Sequence, residues 1–284
     1  MLKQRVITAL VLLAILLPAL FYPAPEPFVA VALVLIAAGG WEWGRLNGCG
    51  PRAAIFCGLI CLAGCALSWW GGLLRQPLPA LWITAGAAWV LGGAWLLRAG
   101  VAGWPKIPVS VRLVGGLLAL WLAWLAVAQA RVMGINFLLS VLLLVWVADI
   151  FAYFAGRAFG LRFTRNKLAP TISPGKSWEG VWGGMAGVVV LALAWVAADQ
   201  AWQASVPSLY SRLAGHGTWL LLIAVVFLAA MSVLGDLVES LIKRSQGVKD
   251  SSGLLPGHGG VLDRVDALLP TLPLAMMLAS WVSP

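Results

Sequence analysis

The chain has 284 residues, of which 62% are hydrophobic and 10% charged, and its mean hydropathy is +0.95. A soluble domain of this length cannot bury so much apolar surface, so a soluble globular protein is excluded. The formal net charge of +9 suits anionic lipid headgroups and anionic substrates. Nucleic acid is not expected as a partner, because the sequence contains no basic soluble module to hold it.

Long apolar segments predict an all-α polytopic membrane protein with about nine transmembrane helices. The apolar runs are continuous rather than alternating, which excludes a transmembrane β-barrel. The first segment follows two basic residues, as in a signal peptide, but no small-residue cleavage site follows it, so we expect it to be retained. The predicted spans are roughly 6–22, 28–46, 54–74, 79–97, 111–130, 134–155, 178–198, 217–237 and 261–282.

The distribution of Lys and Arg predicts the orientation in the membrane. A cytoplasmic N-terminus puts all but three of the 19 Lys and Arg residues on the cytoplasmic side, the exceptions being Arg75, Arg131 and Arg212. With nine spans, the C-terminus then lies outside. We expect an integral protein of a bacterial inner membrane, because the chain is compact and carries no extensions.

Acidic residues are concentrated in the second half of the chain. Residues 1–140 contain only Glu26 and Glu42, and residues 141–284 contain the other eight acids. This asymmetry predicts an N-terminal transmembrane scaffold at 1–132 and a C-terminal catalytic region at 133–284. We expect the active site at the cytoplasmic side of the C-terminal half.

The segment 240–266, SLIKRSQGVKDSSGLLPGHGGVLDRVD, contains four Lys or Arg, three Asp and one His. It lies between two apolar segments, so its charges are at or near a membrane surface, where charged residues are costly and mark functional sites. Carboxylates mixed with cationic side chains and glycine-rich turns are what Mg²⁺-dependent phosphate chemistry requires. The segment is therefore the first candidate for a site.

A polar loop at 162–180, RFTRNKLAPTISPGKSWEG, is the second candidate. Two prolines stiffen it, and Lys167, Ser173 and Lys176 could contact phosphate. Its PGKS piece is not a phosphate-binding P-loop, because no strand precedes it and the spacing does not fit. The alternative is a positively charged loop that only sets the topology.

The end of the eighth span carries a polar helical face. Asp236, Glu239, Ser240 and Lys243 are spaced at positions 0, 3, 4 and 7, which puts them on one side of a helix. The alternative is a Glu239–Lys243 surface pair that contributes only a few tenths of a kcal/mol. For Asp236, which lies deeper in the apolar run, the pattern favours a functional role.

Four aspartates are candidate ligands or binding groups. Asp149 lies near the end of the sixth span, where a carboxylate is unlikely to face lipid, although a helix-packing role is the alternative. Asp263 and Asp266 are three residues apart at the start of the ninth span. Asp236 and Asp263 would meet at the inner surface from neighbouring helices and form a Mg²⁺ site, completed by water and substrate phosphates.

The glycine-rich turn PGHGG precedes these last two aspartates. Gly259 and Gly260 let the backbone turn sharply and approach a ligand closely. His258 could act as an acid or base, but a lone histidine between glycines is more often structural.

The pattern S-x2-K-R-x4-K-D-S-x4-P-G-H-G-G-x2-D-R-x-D, from Ser240 to Asp266, resembles the signature of the phosphatidate cytidylyltransferases, or CDP-diacylglycerol synthases. The upstream NKLAPTISPGKSWEG is similar to a second motif of that family. The resemblance covers roughly residues 145–270. At Asp149 the sequence Asp-Ile-Phe departs from the usual Asp-Ser-Gly of the family.

The resemblance implies that CTP and phosphatidate give CDP-diacylglycerol and pyrophosphate, with metal bound by Asp236 and Asp263. Asp250 and Asp266 are candidates to hold a second cation or to orient cationic side chains. Together with the patterns above, it assigns catalysis to Asp236, Lys243, Arg244, Lys249, Asp250, Asp263, Arg264 and Asp266. Substrate binding is assigned to Asp149, Lys167, Ser173, Lys176, Ser240, His258, Gly259 and Gly260.

Two other classes stay open at this stage. One is a related CTP-dependent lipid kinase or another nucleotidyltransferase with a similar membrane core. The other is an anion transporter, for which charges near mid-span and broken helices in symmetric halves would be expected. The clustering of charges toward one surface disfavours the transporter. Membrane lipids are expected partners, and a homodimer is left open.

Overall fold

The computed structural model describes residues 2–282, and within them the chain forms helices and no strand. The helices are α1 (Leu2–Phe21), α2 (Glu26–Leu46), α3 (Pro51–Trp70), α4 (Pro79–Ala99), α5 (Val109–Met133), α6 (Ile135–Phe159), α7 (Trp178–Ala201), α8 (Leu209–Ala214), α9 (Thr218–Ser245), α10 (Leu262–Val265) and α11 (Leu268–Val282). Two short 3-10 turns, Leu73–Arg75 and Trp104–Lys106, flank α4.

In the described part of the chain, nine helices are long and apolar enough to cross a membrane, which confirms the predicted class and number of spans. The ninth span, Leu262–Val282, consists of α10 and α11 with a break between them. Prolines at positions 270 and 273 lack the amide hydrogen that continues a helical ladder, which explains the irregular start of this span. Successive spans run in alternating directions.

The eighth span is longer than predicted. The apolar pattern predicts an end near residue 237, whereas α9 continues to Ser245. Its last two turns carry Lys243 and Arg244, which suit the negative end of a helix dipole, and an ion pair between Glu239 and Lys243 supports the same turns. The helix therefore carries the polar face beyond the apolar segment.

Close packing of α6 on α7 fixes the helix that carries Asp149. A Cβ at Gly184 would lie 2.8 Å from the Ala148 carbonyl oxygen, and one at Gly180 would lie 2.9 Å from that of Ala152. Small residues at this spacing let helix backbones approach closely in a membrane. The start of α7, with the loop before it, is thereby held beside the end of α6.

The two ends of the bundle differ in their loops. One end carries the loops at 160–177 and 246–261 and is called the site end; the opposite end, which carries α8, is called the far end. The first helix also reaches the site end, because the Thr8 hydroxyl donates to the Pro256 carbonyl oxygen at 2.9 Å. All the candidate residues named from the sequence lie at or near the site end.

Candidate active site

The first contact at the site end joins the loop before α7 to α9. The Lys176 ammonium lies 2.5 Å from one carboxylate oxygen of Asp236, and the Ser240 hydroxyl donates to the other at 3.2 Å. Lys176 is placed by the helix start beside it, where the Ser177 hydroxyl accepts from the Gly180 amide and caps α7. Three residues predicted to bind or catalyse are thus brought together.

Two more aspartates surround this pair. Asp149 on α6 is exposed and lies within electrostatic range of both Asp236 and Lys176. Asp266, at the break between α10 and α11, lies within range of Asp236, Asp149 and Lys243. One Oδ of Asp266 accepts from the Ala267 amide at 2.7 Å. The three carboxylates therefore lie within electrostatic range of one another, with Lys176 and Lys243 as the cations beside them.

Lys243 forms a second centre on the same helix. Its ammonium pairs with Glu239 one turn earlier and lies 2.5 Å from Oδ1 of Asp263 on α10. All three side chains are largely buried, with Lys243 11% exposed and Asp263 5% exposed. Among the described residues, no hydrogen-bond donor other than this ion pair reaches either Glu239 oxygen. Buried charges persist in a low dielectric only when they are paired, so these three residues depend on one another.

The second carboxylate oxygen of Asp263 is held by neutral donors. It accepts from the Ser251 amide and hydroxyl, each at 2.9 Å, and from the Gly260 amide at 2.7 Å. Gly259 has φ +85°, a conformation that favours glycine. At Gly260 a Cβ would lie 2.0 Å from the Ser251 hydroxyl. The glycines thus let the loop fold tightly around Asp263.

Glu42, on α2, lies under this loop and is fully buried. Its carboxylate accepts four hydrogen bonds: from the Ser251 and Ser252 hydroxyls at 3.1 and 2.5 Å, and from the Val261 and Leu262 amides at 2.9 and 2.8 Å. It therefore ties together the two ends of the segment that holds Asp263. Ser251 bridges Glu42 and Asp263 directly.

The loop at 160–177 is anchored by a similar device. Glu179 on α7 accepts from the Phe163 and Thr164 amides and from the Thr164 hydroxyl, at 2.7–3.1 Å. Arg244 on α9 donates to the Ile172 carbonyl oxygen at 3.4 Å. These contacts hold the loop against α9 and keep Lys176 at Asp236.

Several predicted site residues do not join the acidic cluster. The Lys167 ammonium donates to the Pro174 carbonyl oxygen at 2.6 Å, and Ser173 pairs with Ala169 inside the same loop. Arg264 turns away and donates to the His258 carbonyl oxygen at 2.6 Å. The exposed residues Lys249 and Asp250, with Arg244, border the site from the solvent side, and no ion pair within residues 2–282 involves them.

His258 lies in the glycine-rich turn. Its amide donates to the Leu255 carbonyl oxygen at 2.8 Å, while its buried Nδ1 lacks a hydrogen-bond partner within the described chain. The backbone contacts give the residue a structural part in the turn. Its predicted substrate contact stays a prediction.

The donor chemistry of the recess around Asp236 fits Mg²⁺. This ion takes oxygen ligands and is held by one or two carboxylates, with water and substrate phosphates at the remaining positions. Within residues 2–282 no group of three or more His, Cys, Asp or Glu side chains forms a ready metal cage. Asp236 with Asp149 or Asp266 supplies suitable oxygens. Asp263 could supply an oxygen ligand only if the Lys243 ammonium moves away from Oδ1. The role of Asp263 as a metal ligand stays a prediction.

Glu42 is the residue that reasoning from the sequence missed, since its segment was predicted to be scaffold. A signal was present: a single carboxylate stands in WEWG, near the end of an apolar span. An acid there must find donors or a cation, because lipid offers neither. What could not be deduced is that its donors come from residues about 210 positions away.

Comparisons with known proteins identify the family of this chain. The model of the cytidylyltransferase family matches residues 3–282. A phosphatidate cytidylyltransferase of Pseudomonas aeruginosa is 40% identical, over 100% of both chains. One of Haemophilus influenzae is 38% identical over 96% of each chain, and one of Brucella abortus is 34% identical over 98% of this chain and 93% of its own.

Proposed function

Because the chain belongs to the cytidylyltransferase family, we propose that it transfers the cytidylyl group of CTP to phosphatidate, giving CDP-diacylglycerol and pyrophosphate. The observation that carries the proposal is the convergence of Lys176, Asp236, Lys243 and Asp263 at one end of a membrane-spanning bundle. The full-length similarity to named phosphatidate cytidylyltransferases supports the choice of both substrates.

The reaction brings two anions together, and the site has the charges to do so. In solution a triphosphate and a lipid phosphate repel each other. Lys176 and Lys243 each hold a carboxylate in this structure, and each could pass its ammonium to a phosphate oxygen when substrate arrives. Arg244 and Lys249, at the exposed edge, supply further cations for the triphosphate. Such positioned charges stabilise phosphoryl-type transition states.

In the chemical step, an oxygen of the phosphatidate phosphate forms a bond to the α-phosphorus of CTP. The bond from that phosphorus to the oxygen bridging the α- and β-phosphates breaks, and its electron pair leaves with pyrophosphate. A phosphate monoester is already anionic at neutral pH. A strong general base is therefore unnecessary, and His258 is not needed in that role.

Mg²⁺ is the proposed cofactor, with Asp236 as the principal ligand and Asp263 as the second where the Lys243 ammonium moves away from its Oδ1. When bound there, it would neutralise charge on the phosphates of CTP and on the pyrophosphate that leaves. Asp250 and Asp266 remain the proposed holders of a second cation, and Asp149 and Asp266 lie within electrostatic range of Lys176 and Lys243, respectively.

For the orientation, we propose that the site end faces the cytoplasm, where CTP is found, in a bacterial inner membrane. The orientation is supported by the concentration of Lys and Arg in the loops at the site end. The type of membrane is supported by the bacterial source of the relatives. The homodimer stays a prediction from the sequence.

The choice of lipid acceptor tests the function against its nearest rival. The purified protein, given CTP and Mg²⁺, should consume phosphatidate and leave diacylglycerol of the same acyl composition unchanged. A CTP-dependent lipid kinase needs a hydroxyl acceptor, so it would use diacylglycerol and ignore phosphatidate. Turnover of diacylglycerol alone would contradict the proposal.

A further inference from the structure

A large apolar cleft lies between α4, α5 and α9. Its volume is about 700 Å³, within the range of small-molecule sites. Trp89 and Leu96 of α4, Leu118 of α5 and Ile242 of α9 are among the residues that line it. On α4 the lining runs from Leu81 to Leu96, which is about 22 Å at ~1.5 Å per residue. The cleft is thus deeper than half of a ~30 Å hydrocarbon core.

One cation lies at the end of this apolar cleft. Arg112 lines it near the start of α5 and is only 9% exposed. Its guanidinium carbon lies 5.6 Å from the centre of the Trp104 ring. Its Nε has no hydrogen-bond partner, and none of the ion pairs within residues 2–282 involves this arginine. A buried Nε without an acceptor is costly beside lipid, so an anion bound at this point would stabilise Arg112.

The cleft faces a different side of α9 from the acidic cluster. Gly235, Val238 and Ile242 line it, whereas Asp236 and Lys243 carry the cluster. At 3.6 residues per turn, the centres of these two faces are about 110° apart. Glu239, which lines the cleft and pairs with Lys243, borders both. A phosphate held by Arg112 is therefore on a separate face from one held at Lys176.

We propose that this cleft binds an anionic phospholipid that is not the reacting lipid, with its phosphate on Arg112 and one acyl chain along the apolar wall. Arginine is suited to this role because its planar donors bind phosphate oxygens in pairs. Trp104, beside it, is the kind of residue found at the lipid headgroup level. Basic pockets between membrane helices bind lipid headgroups in this way.

The test measures retention of dioleoyl phosphatidylglycerol by native mass spectrometry of the purified protein in detergent, with dioleoylglycerol as the probe without phosphate. Arg112→Gln removes the charge, and Gly92→Leu fills the cleft at a position where a Cβ meets nothing within 4 Å. Arg98→Gln, an exposed arginine at the end of α4, is the matched control.

We expect Arg112→Gln to weaken phosphatidylglycerol binding about tenfold or more, since a charged hydrogen bond contributes that much. Gly92→Leu should also weaken it, because the leucine side chain occupies the space proposed for the acyl chain. Arg98→Gln should bind as the parent does. Dioleoylglycerol binding should fall in Gly92→Leu alone. If Arg112→Gln does not fold, Gly92→Leu decides the question, because its arginine is intact.

Three results would overturn the proposal. The first is unchanged phosphatidylglycerol binding in Gly92→Leu. The second is loss of that binding in Asp263→Asn instead, which would place the lipid in the reaction site. The third is a dimer of the parent protein that Gly92→Leu dissociates, which would make the cleft a subunit interface.

Discussion

Two half-buried aspartates, one at each end of the bundle, are held in contrasting ways. At the far end, Asp199 on α7 accepts from the Asn136 side chain at 2.8 Å, from the Ser208 amide at 3.0 Å and from the Ser211 hydroxyl at 2.6 Å. All these donors are neutral, and they fasten α8 to the neighbouring helices. At the site end, Asp236 pairs with the ammonium of Lys176, and further acids lie in range.

This contrast distinguishes carboxylates that stabilise the fold from carboxylates that are available to bind a ligand. A carboxylate saturated by amides and hydroxyls is satisfied and has nothing to exchange with a ligand. A carboxylate paired with a lysine can exchange that partner for a metal ion, while the lysine turns to a phosphate. By this criterion Asp199 is structural, and Asp236 is the candidate for the chemistry. Glu42 is saturated in the same manner as Asp199, yet its donors belong to the loop that holds Asp263.

The largest effect is expected from the proposed metal ligands. Asp236→Asn and Asp263→Asn should each lower kcat by about a hundredfold or more, because each removes charge stabilisation made in the transition state. Pyrophosphate release by the purified variants measures this, with thermal unfolding as the check on folding. Near-normal turnover of either variant in Mg²⁺ would remove that residue from the site.

Glu42→Gln tests whether the buried Glu42 carboxylate, whose four hydrogen bonds hold the loop around Asp263, affects the rate of catalysis. The amide keeps the shape but cannot accept all four hydrogen bonds, so the loop around Asp263 should loosen. We expect kcat to fall about 10- to 100-fold, as for other residues that orient a metal ligand, and the Mg²⁺ requirement to rise.

The matched control for this variant is Glu26→Gln, which changes an exposed acid of the same helix that pairs with Arg75 at the far end. It should retain the parent rate and Mg²⁺ response. Equal losses in the two variants would show that Glu42 acts only through general stability.

A smaller effect, confined to CTP binding, is expected when two lysines of the same loop are compared. Lys176 faces Asp236, whereas the Lys167 ammonium donates to a carbonyl oxygen of its own loop. Lys176→Met should raise KM for CTP about tenfold or more, the usual effect of one charged hydrogen bond. Lys167→Met should change it by less than about threefold. The reverse order, in steady-state kinetics at saturating phosphatidate, would show that Lys167 binds the phosphates.

The smallest effect on activity is expected at the far end. Asp199→Asn leaves the shape intact but replaces one acceptor by a donor facing Ser208 or Ser211. Unfolding should become easier by about 1–3 kcal/mol, the cost of an unsatisfied buried group, while kcat stays within about twofold. Chemical denaturation in detergent and the pyrophosphate assay measure the two quantities. A large loss of kcat with unchanged stability would break the distinction between the two ends.

The fold could be predicted from the sequence because membrane spans depend on local properties. Continuous apolar runs of sufficient length predict helices in lipid, and all nine were found. The shared face of Asp236, Ser240 and Lys243 was predictable for the same reason, since helical periodicity is local. The end of α9 was misplaced because charged residues that continue a helix do not continue an apolar pattern.

The detailed site was less accessible to such reasoning. Which acid pairs with which lysine depends on the path of two irregular loops, and Lys243 contacts Asp263 only because Gly259 and Gly260 permit a tight turn. The contact of Glu42 with residues of the distant loop, and the cleft that ends at Arg112, arise from packing between helices far apart in sequence. No local pattern contains that information.

The most direct test of the central claim is the fate of CTP labelled separately on its α- and γ-phosphates. With Mg²⁺ and phosphatidate, the purified protein should place the α-label in the lipid and release the γ-label as pyrophosphate, in equal amounts. Asp236→Asn should abolish both signals together. Entry of the γ-label into lipid, with CDP as the co-product, would contradict cytidylyl transfer and identify a kinase.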